Sequence, residues 1–281
     1  MSSPESPHPS IGALLAEALP GETASDVVRR KARAVVARAR ALWTGPPFCP
    51  VALADIEGII VQEAPCDIRS DGRIFSKGNR VYIQYAAGQC NERKRFTVCH
   101  ELAHTLFPDC FKRERRRSAV EKAEWEFENL CNVAASEFLF PLEEFTIDMG
   151  SGVLPAAEIQ NLAARYAASI DATSRRLVSL CPKAACVVFA HYRQPKPGTV
   201  VSLFVHYAVP NARFLGKFFK GMKINSKSAA NRAYNDQKPV GALTESWMVG
   251  GKWTRYRVEA IPLPKFESKD TSDLAIVLYS K

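Results

Sequence analysis

One short motif constrains this chain more than anything else in it: His100-Glu101-Leu102-Ala103-His104, set inside an apolar stretch. Phe96, Val98, Leu102 and Leu106 flank it at helical spacing, so it reads as part of a helix facing a core. The helical pattern runs from Arg95 to Phe107 and stops before Pro108. Four residues span little more than one helical turn, so both imidazoles leave the helix on one side. Two buried histidines need partners, because a buried polar ring without them is costly. One metal ion satisfies both. Glu101 lies beside them, where a carboxylate can take a proton from an attacking water.

A catalytic zinc usually takes three protein ligands. The continuation HExxHxxGxxH is absent, because position 107 is Phe and position 110 is Cys. The third ligand therefore comes from elsewhere, and a carboxylate on the next helix is the natural source. Ser118 and Glu121 form a capping-box pattern that starts such a helix, which runs to about Phe138. Its candidates are Glu121, Glu124, Glu126 and Glu128. Glu121, Trp125, Glu128, Asn132, Ala135 and Leu139 share one face, expected to point inward with Glu128 deepest. Glu126 lies on another face, and Glu124 stays a rival that helix geometry does not exclude.

Around this pair the chain reads as an α+β protein. Residues 1–24 form a Ser/Pro/Gly-bearing lead-in, expected to be flexible apart from a short apolar stretch from Ile11 to Leu19. From Thr23 a helix carries Val27, Val28, Ala32, Val35, Val36 and Leu42. A short helix over Val51–Ile56 closes at Gly58. Short strands at Ile59–Val61, Gly72–Phe75 and Val81–Tyr85, separated by turn residues, make a small sheet. Four β-like runs follow Pro182: Cys186–Tyr192, Val200–Tyr207, Trp253–Ile261 and Leu274–Tyr279. The expected organisation is a metallopeptidase domain over 25–150, a helix-turn-helix-like segment over 151–182 and a β-rich domain over 183–281.

Charge separates these parts. The net +9 arises from Lys183 onward, where Lys and Arg outnumber Asp and Glu 16 to 6; before it the counts are 22 and 23. An anionic partner, nucleic acid included, is therefore expected at the C-terminal domain, where Lys217, Lys220, Lys223, Lys227 and Arg232 interleave with Phe214, Phe218 and Phe219. A solvated loop on a sensor or docking domain is the plainer reading of that stretch. The same choice attends Lys112–Arg117, read as a solvated loop rather than a grip on an acidic substrate. Glu158–Leu177 has helix-turn-helix spacing, with Ser169 as an N-cap and Arg175 and Arg176 as residues able to face DNA. A packing element is the reading preferred there. Eight cysteines occur without a CxxC pair, and the opening residues are polar and Pro-rich. Reduced thiols in a cytoplasmic protein are expected, with no membrane span.

Two segments carry a family resemblance. Arg95-Phe96-Thr97-Val98-Cys99-His100-Glu101-Leu102-Ala103-His104 resembles the RFTxAHELGH core of the ImmA/IrrE metallopeptidases. Glu128 through Pro141 resembles that family's ExxANxFAAxLLxP. The likeness covers roughly residues 47–180. Ala103 stands where the family has Gly, Cys99 and Cys131 stand where it has Ala, and Phe138 and Phe140 replace aliphatic residues. The resemblance implies a zincin-like fold in which His100, His104 and Glu128 bind Zn²⁺ and Glu101 is the catalytic acid/base. Mn²⁺ or Fe²⁺ fit the same ligands. It further implies site-specific cleavage of a regulatory protein, often a helix-turn-helix repressor, and a GAF-like sensor as the C-terminal domain. Tyr166, His191 and His206 are candidate oxyanion donors, with none assigned. The competing readings are a non-catalytic, metal-containing DNA-binding regulator and a toxin–antitoxin partner.

Overall fold

The computed structural model describes residues 8–65, 70–111, 121–194, 196, 198–264 and 272–280, with side chains from Glu124 onward in the helix that begins at Glu121. The chain forms two compact units, Met1–Glu144 with Tyr166–Ala168, and Phe145–Arg165 with Ser169–Lys281. No helix among the described residues is long and apolar enough to cross a membrane. Cys66, the Lys112–Arg117 run and the Ser118 cap lie outside the described residues.

In the first unit the lead-in takes on structure from His8. Helix α1 (Pro9–Leu15) has His8 as its cap and buries Ile11 and Leu14. Helix α2 (Ala24–Ala39) opens on a capping box in which Thr23 and Asp26 satisfy each other's backbone amides. Its valine stripe is buried, at about 1.5–3 kcal/mol per side chain, and packs on α5 (Glu121–Leu139). There the Glu137 carboxylate, fully buried, accepts hydrogen bonds from Arg33 Nε and Nη2 at 3.1 and 3.2 Å. Leu42 does not join the stripe. The α-helix gives way to a 3₁₀ turn over Arg40–Leu42, and that side chain is 72% exposed.

Helix α3 (Pro50–Ile56) ends at Gly58, whose φ of +72° suits glycine. Strands β1 (Ile59–Glu63), β2 (Gly72–Lys77) and β3 (Arg80–Tyr85) form a sheet of order β1-β3-β2, with β1 parallel and β2 antiparallel to β3. Helix α4 (Asn91–Ala103) lies on β2 and β3 and ends in a 3₁₀ turn, His104–Leu106. It starts before Arg95 because its first turn is wholly polar and gives no periodic signal. The face read as inward on α5 is displaced in its first half. Trp125 is 68% exposed, whereas Phe127, Leu130, Cys131, Ala134 and Phe138 are buried. That row is the more continuous apolar stripe, and it wins the core.

The second unit contains the end of α6 (Leu142–Met149), α7 (Ala156–Arg165) and α8 (Ile170–Leu180), the last capped by Ser169 Oγ on Ala172 N at 3.1 Å. Its sheet is wholly antiparallel, of order β5-β4-β8-β7-β6. The strands are β4 (Ala185–Arg193), β5 (Ser202–Pro210), β6 (Val240–Val249), β7 (Lys252–Pro262) and β8 (Leu274–Ser280). Helix α9 (Ala229–Asp236) sets Ala229, Ala230 and Ala233 into a core with Val188, Val258 and Leu278. Two elements here have no counterpart in the sequence reading. β6 alternates poorly because a bulge interrupts it between Ala242 and Glu245, and α9 shows only alanines to the core. Arg176 is 4% exposed, and Arg175 is bonded to Asp171 and, at 3.0 Å, to Tyr207 Oη.

Candidate metal centre

The site forms where one stripe of α4 meets one stripe of α5. His100 and His104 stand four residues apart, and their rings meet edge-on with centroids 5.1 Å apart. Opposite them, Glu128, Cys131 and Asn132 stand at i, i+3 and i+4, which is again a single helix face. The contacts pair off. His100 Nε2 lies 2.9 Å from Glu128 Oε2, and His100 Nδ1 lies 3.0 Å from Asn132 Oδ1. His104 Nδ1 lies 3.5 Å from Cys131 Sγ. The outer nitrogen of each imidazole is thus held, which orients the ring and leaves Nε2 facing the site.

Glu101 completes the group. One ligand atom from each of His100, Glu101 and His104 falls within 4.8 Å of the others, close enough for a side-chain rotation to let one ion be shared. Glu101 Oε2 is 3.9 Å from His104 Nε2. That compact trio does not include Glu128, which reaches the site through His100. The two carboxylates differ in surroundings. Glu101 is 8% exposed, whereas the Glu128 side chain is 38% exposed. The floor beneath Glu101 is backbone: a Cβ on Gly72 would sit 3.1 Å from Glu101 Cγ and 2.4 Å from Thr97 Cγ2. Glycine at the start of β2 therefore lets strand and helix meet closely.

The electrostatics favour a cation. Burial works against the protonated His100 ring, yet the Glu128 hydrogen bond and charge, with the charge of Glu101, lift its pKa above the ordinary histidine value. Imidazole and carboxylate donors with fixed outer contacts suit a borderline divalent ion, and the residues present fit one. Cys99, next to His100 in sequence, is fully buried on another face of α4, and desolvation pushes its thiol well above the ordinary range.

The other candidates go elsewhere. Glu124 faces His8, with 3.4 Å between Oε2 and Nε2, and Glu126 is exposed. The Glu121 side chain lies outside the described residues. Tyr166 is buried against Phe48 and Phe140. His191 and His206 stack on each other in the second unit, 4.9 Å between centroids. Asn132, read as sharing the inward face with Glu128, and Cys131 each contact one histidine, a pairing that the sequence reading did not assign. The signal was their i+4 and i+3 spacing from Glu128.

A pair of histidines one turn apart with two nearby carboxylates, on two crossing helices beside a small sheet, defines a metallopeptidase-like site. Residues 55–178 match the model of the peptidase M78 family, described as the IrrE N-terminal-like domain. That match bears out the resemblance to the ImmA/IrrE family over this segment. A solved structure described as a Mycobacterium tuberculosis transcriptional regulator is similar over 89% of this chain and 86% of its own, at 14% identity and a TM-score of 0.57. At that identity the likeness concerns fold alone. No curated protein matches the sequence.

Proposed function

We propose that this protein is a zinc-dependent endopeptidase that cuts a regulatory protein at one site, with a helix-turn-helix repressor as the substrate class. The observation that carries the reading is the 2.9 Å approach of Glu128 Oε2 to His100 Nε2. It brings a carboxylate from α5 to the HExxH pair while Glu101 remains beside them. His100, His104 and Glu128 hold the ion in this reading, and Mn²⁺ or Fe²⁺ are the alternatives in the cell. A divalent ion held there would supply Lewis-acid polarisation of the scissile carbonyl and a lowered pKa for the attacking water. Glu101 accepts the water's proton on a carboxylate oxygen and delivers it to the leaving amine. Its burial, with Gly72 behind it, restricts that carboxylate to few positions. The described name of the structural neighbour agrees with a regulatory setting. Residues 183–281 are assigned the role of sensor or substrate-docking domain.

The test separates ligand from acid/base. Glu101→Gln is expected to keep wild-type metal content and lose cleavage of a co-expressed repressor by at least about 100-fold, the low end for general-base catalysis. Glu128→Ala is expected to lose the metal. Wild-type cleavage by Glu101→Gln, or full metal retention by Glu128→Ala, refutes the assignment.

A further inference from the structure

Between Asp171 and Asp236 the sequence holds 11 Lys and Arg and no Asp or Glu. The structure turns part of that stretch into a layer over one face of the five-stranded sheet. Phe214 and Ile224 are buried there beside Ala229 and Ala233. Phe214 stacks on Tyr256 at 5.5 Å, and Phe218 meets the Trp247 ring edge-on at 6.0 Å. Lys217 O accepts a hydrogen bond from Gly250 N at 3.1 Å, and a Cβ on Gly216 would strike Val249 Cγ1 at 2.3 Å. The layer is therefore pinned closely to the sheet. What remains outward is Arg213, Lys217, Lys220, Lys223, Lys227 and Arg232, all exposed, with Phe219 64% exposed among them.

Among the described residues, the acidic side chains nearest the sheet are engaged elsewhere. Glu245 accepts from Ala229 N and Trp247 Nε1, each at 2.8 Å. Glu259 accepts from Ala156 N and Arg257 Nε, and Asp273 from Tyr192 N. Among the described residues none of the six outward cations is within ion-pair distance of a carboxylate.

We propose that this layer binds single-stranded nucleic acid, its cations tracking phosphates and Phe219 stacking on a base. A row of cations without carboxylates fits an anionic polymer. An exposed ring set among them supplies the stacking contact that single strands offer and duplexes withhold. A membrane surface fits less well. A helix or loop that enters lipid offers its apolar side chains together, and here Phe214, Phe218 and Ile224 are taken up by the sheet, which leaves Leu215, 89% exposed, and Phe219 outward among the cations. The inference concerns the second unit alone and does not depend on peptidase activity.

The test is fluorescence anisotropy of the full chain with a labelled 20-nucleotide oligo-dT, a 20-base-pair duplex and phosphatidylserine vesicles. Five phosphate contacts give a slope of about −3.5 in log K against log salt, or about 100-fold weaker binding from 50 to 200 mM salt. Lys217→Glu/Lys220→Glu/Lys223→Glu is expected to abolish that dependence and the binding. Phe219→Ala is expected to weaken oligo-dT about 5- to 100-fold with little effect on the duplex. All four positions are exposed, and circular dichroism confirms that the variants fold. Absence of oligo-dT binding at low salt, equal binding by the triple variant, an equal Phe219→Ala effect on both nucleic acids, or association with vesicles alone overturns the proposal.

Discussion

Gly72→Ala is the most informative single change in the first unit. The new methyl would lie 2.4 Å from Thr97 Cγ2 and 3.1 Å from both Gln84 O and Glu101 Cγ. Carbon pairs rest at about 3.5–4.0 Å, so the closest contact overlaps by more than about 1 Å. Thr97 is 4% exposed and β-branched on a helix, so it has little freedom to rotate away. α4 and β2 must separate. Such overpacking costs about 1–3 kcal/mol, and the lost backbone freedom of the unfolded chain returns about 0.4–1. The net is about 1–2 kcal/mol, or roughly 2–8 °C in Tm at the scaling for a domain of this size. A displaced Glu101 adds a second effect, since a misplacement of about 1 Å can cost 100-fold in rate. Gly78→Ala is the control. Gly78 has φ +61° and open space around it, so alanine strains only a turn. Thermal unfolding and repressor cleavage are measured on both. Loss of Tm by both, with loss of cleavage by Gly72→Ala alone, is expected. An unchanged Tm and full cleavage in Gly72→Ala would refute the close approach as a constraint on Glu101.

Two further outcomes follow from the metal centre. Asn132→Ala and Cys131→Ala are each expected to weaken metal affinity about 10- to 100-fold, measured by chelator competition, because each removes an outer contact of one histidine; Asn132→Asp, which keeps an acceptor, should restore most of the loss. In metal-free protein the raised His100 pKa stabilises the fold fully below its unfolded value of about 6.5, and that contribution disappears as pH rises through the folded value. Tm of the chelator-treated protein should therefore fall above about pH 6.5, and Glu128→Gln should flatten the trend.

The metal motif was legible because its chemistry depends on spacing along one helix, and spacing is what a sequence records. His100, Glu101 and His104 needed only the helical repeat to be placed together. Glu128 was reachable from the family resemblance, whereas helix geometry left Glu124 open. What separates them is the ring of His8, which holds Glu124 from a segment read as a mobile lead-in. Asn132 was placed on the inward face with Glu128, but its pairing with His100 was not legible, because which stripe of α5 faces α4 depends on the competition that Trp125 lost and Phe127 won. The strands of both sheets followed from alternation, except β6, where the bulge between Ala242 and Glu245 breaks the period. α9 escaped because three alanines make a core face without a strong apolar signal.

Cys99 shows what the helix keeps away from the ion. A thiolate one residue from His100 would be a soft donor, the kind that draws copper and captures zinc most firmly. Its burial on another face of α4 and its elevated pKa leave it protonated and turned away from the histidine pair. The candidate ligands His100, His104, Glu101 and Glu128 offer nitrogen and oxygen donors, which discriminate weakly among zinc, manganese and iron. A metal bound there would follow the supply in the cell, and the loaded fraction of the protein is expected to register changes in metal availability.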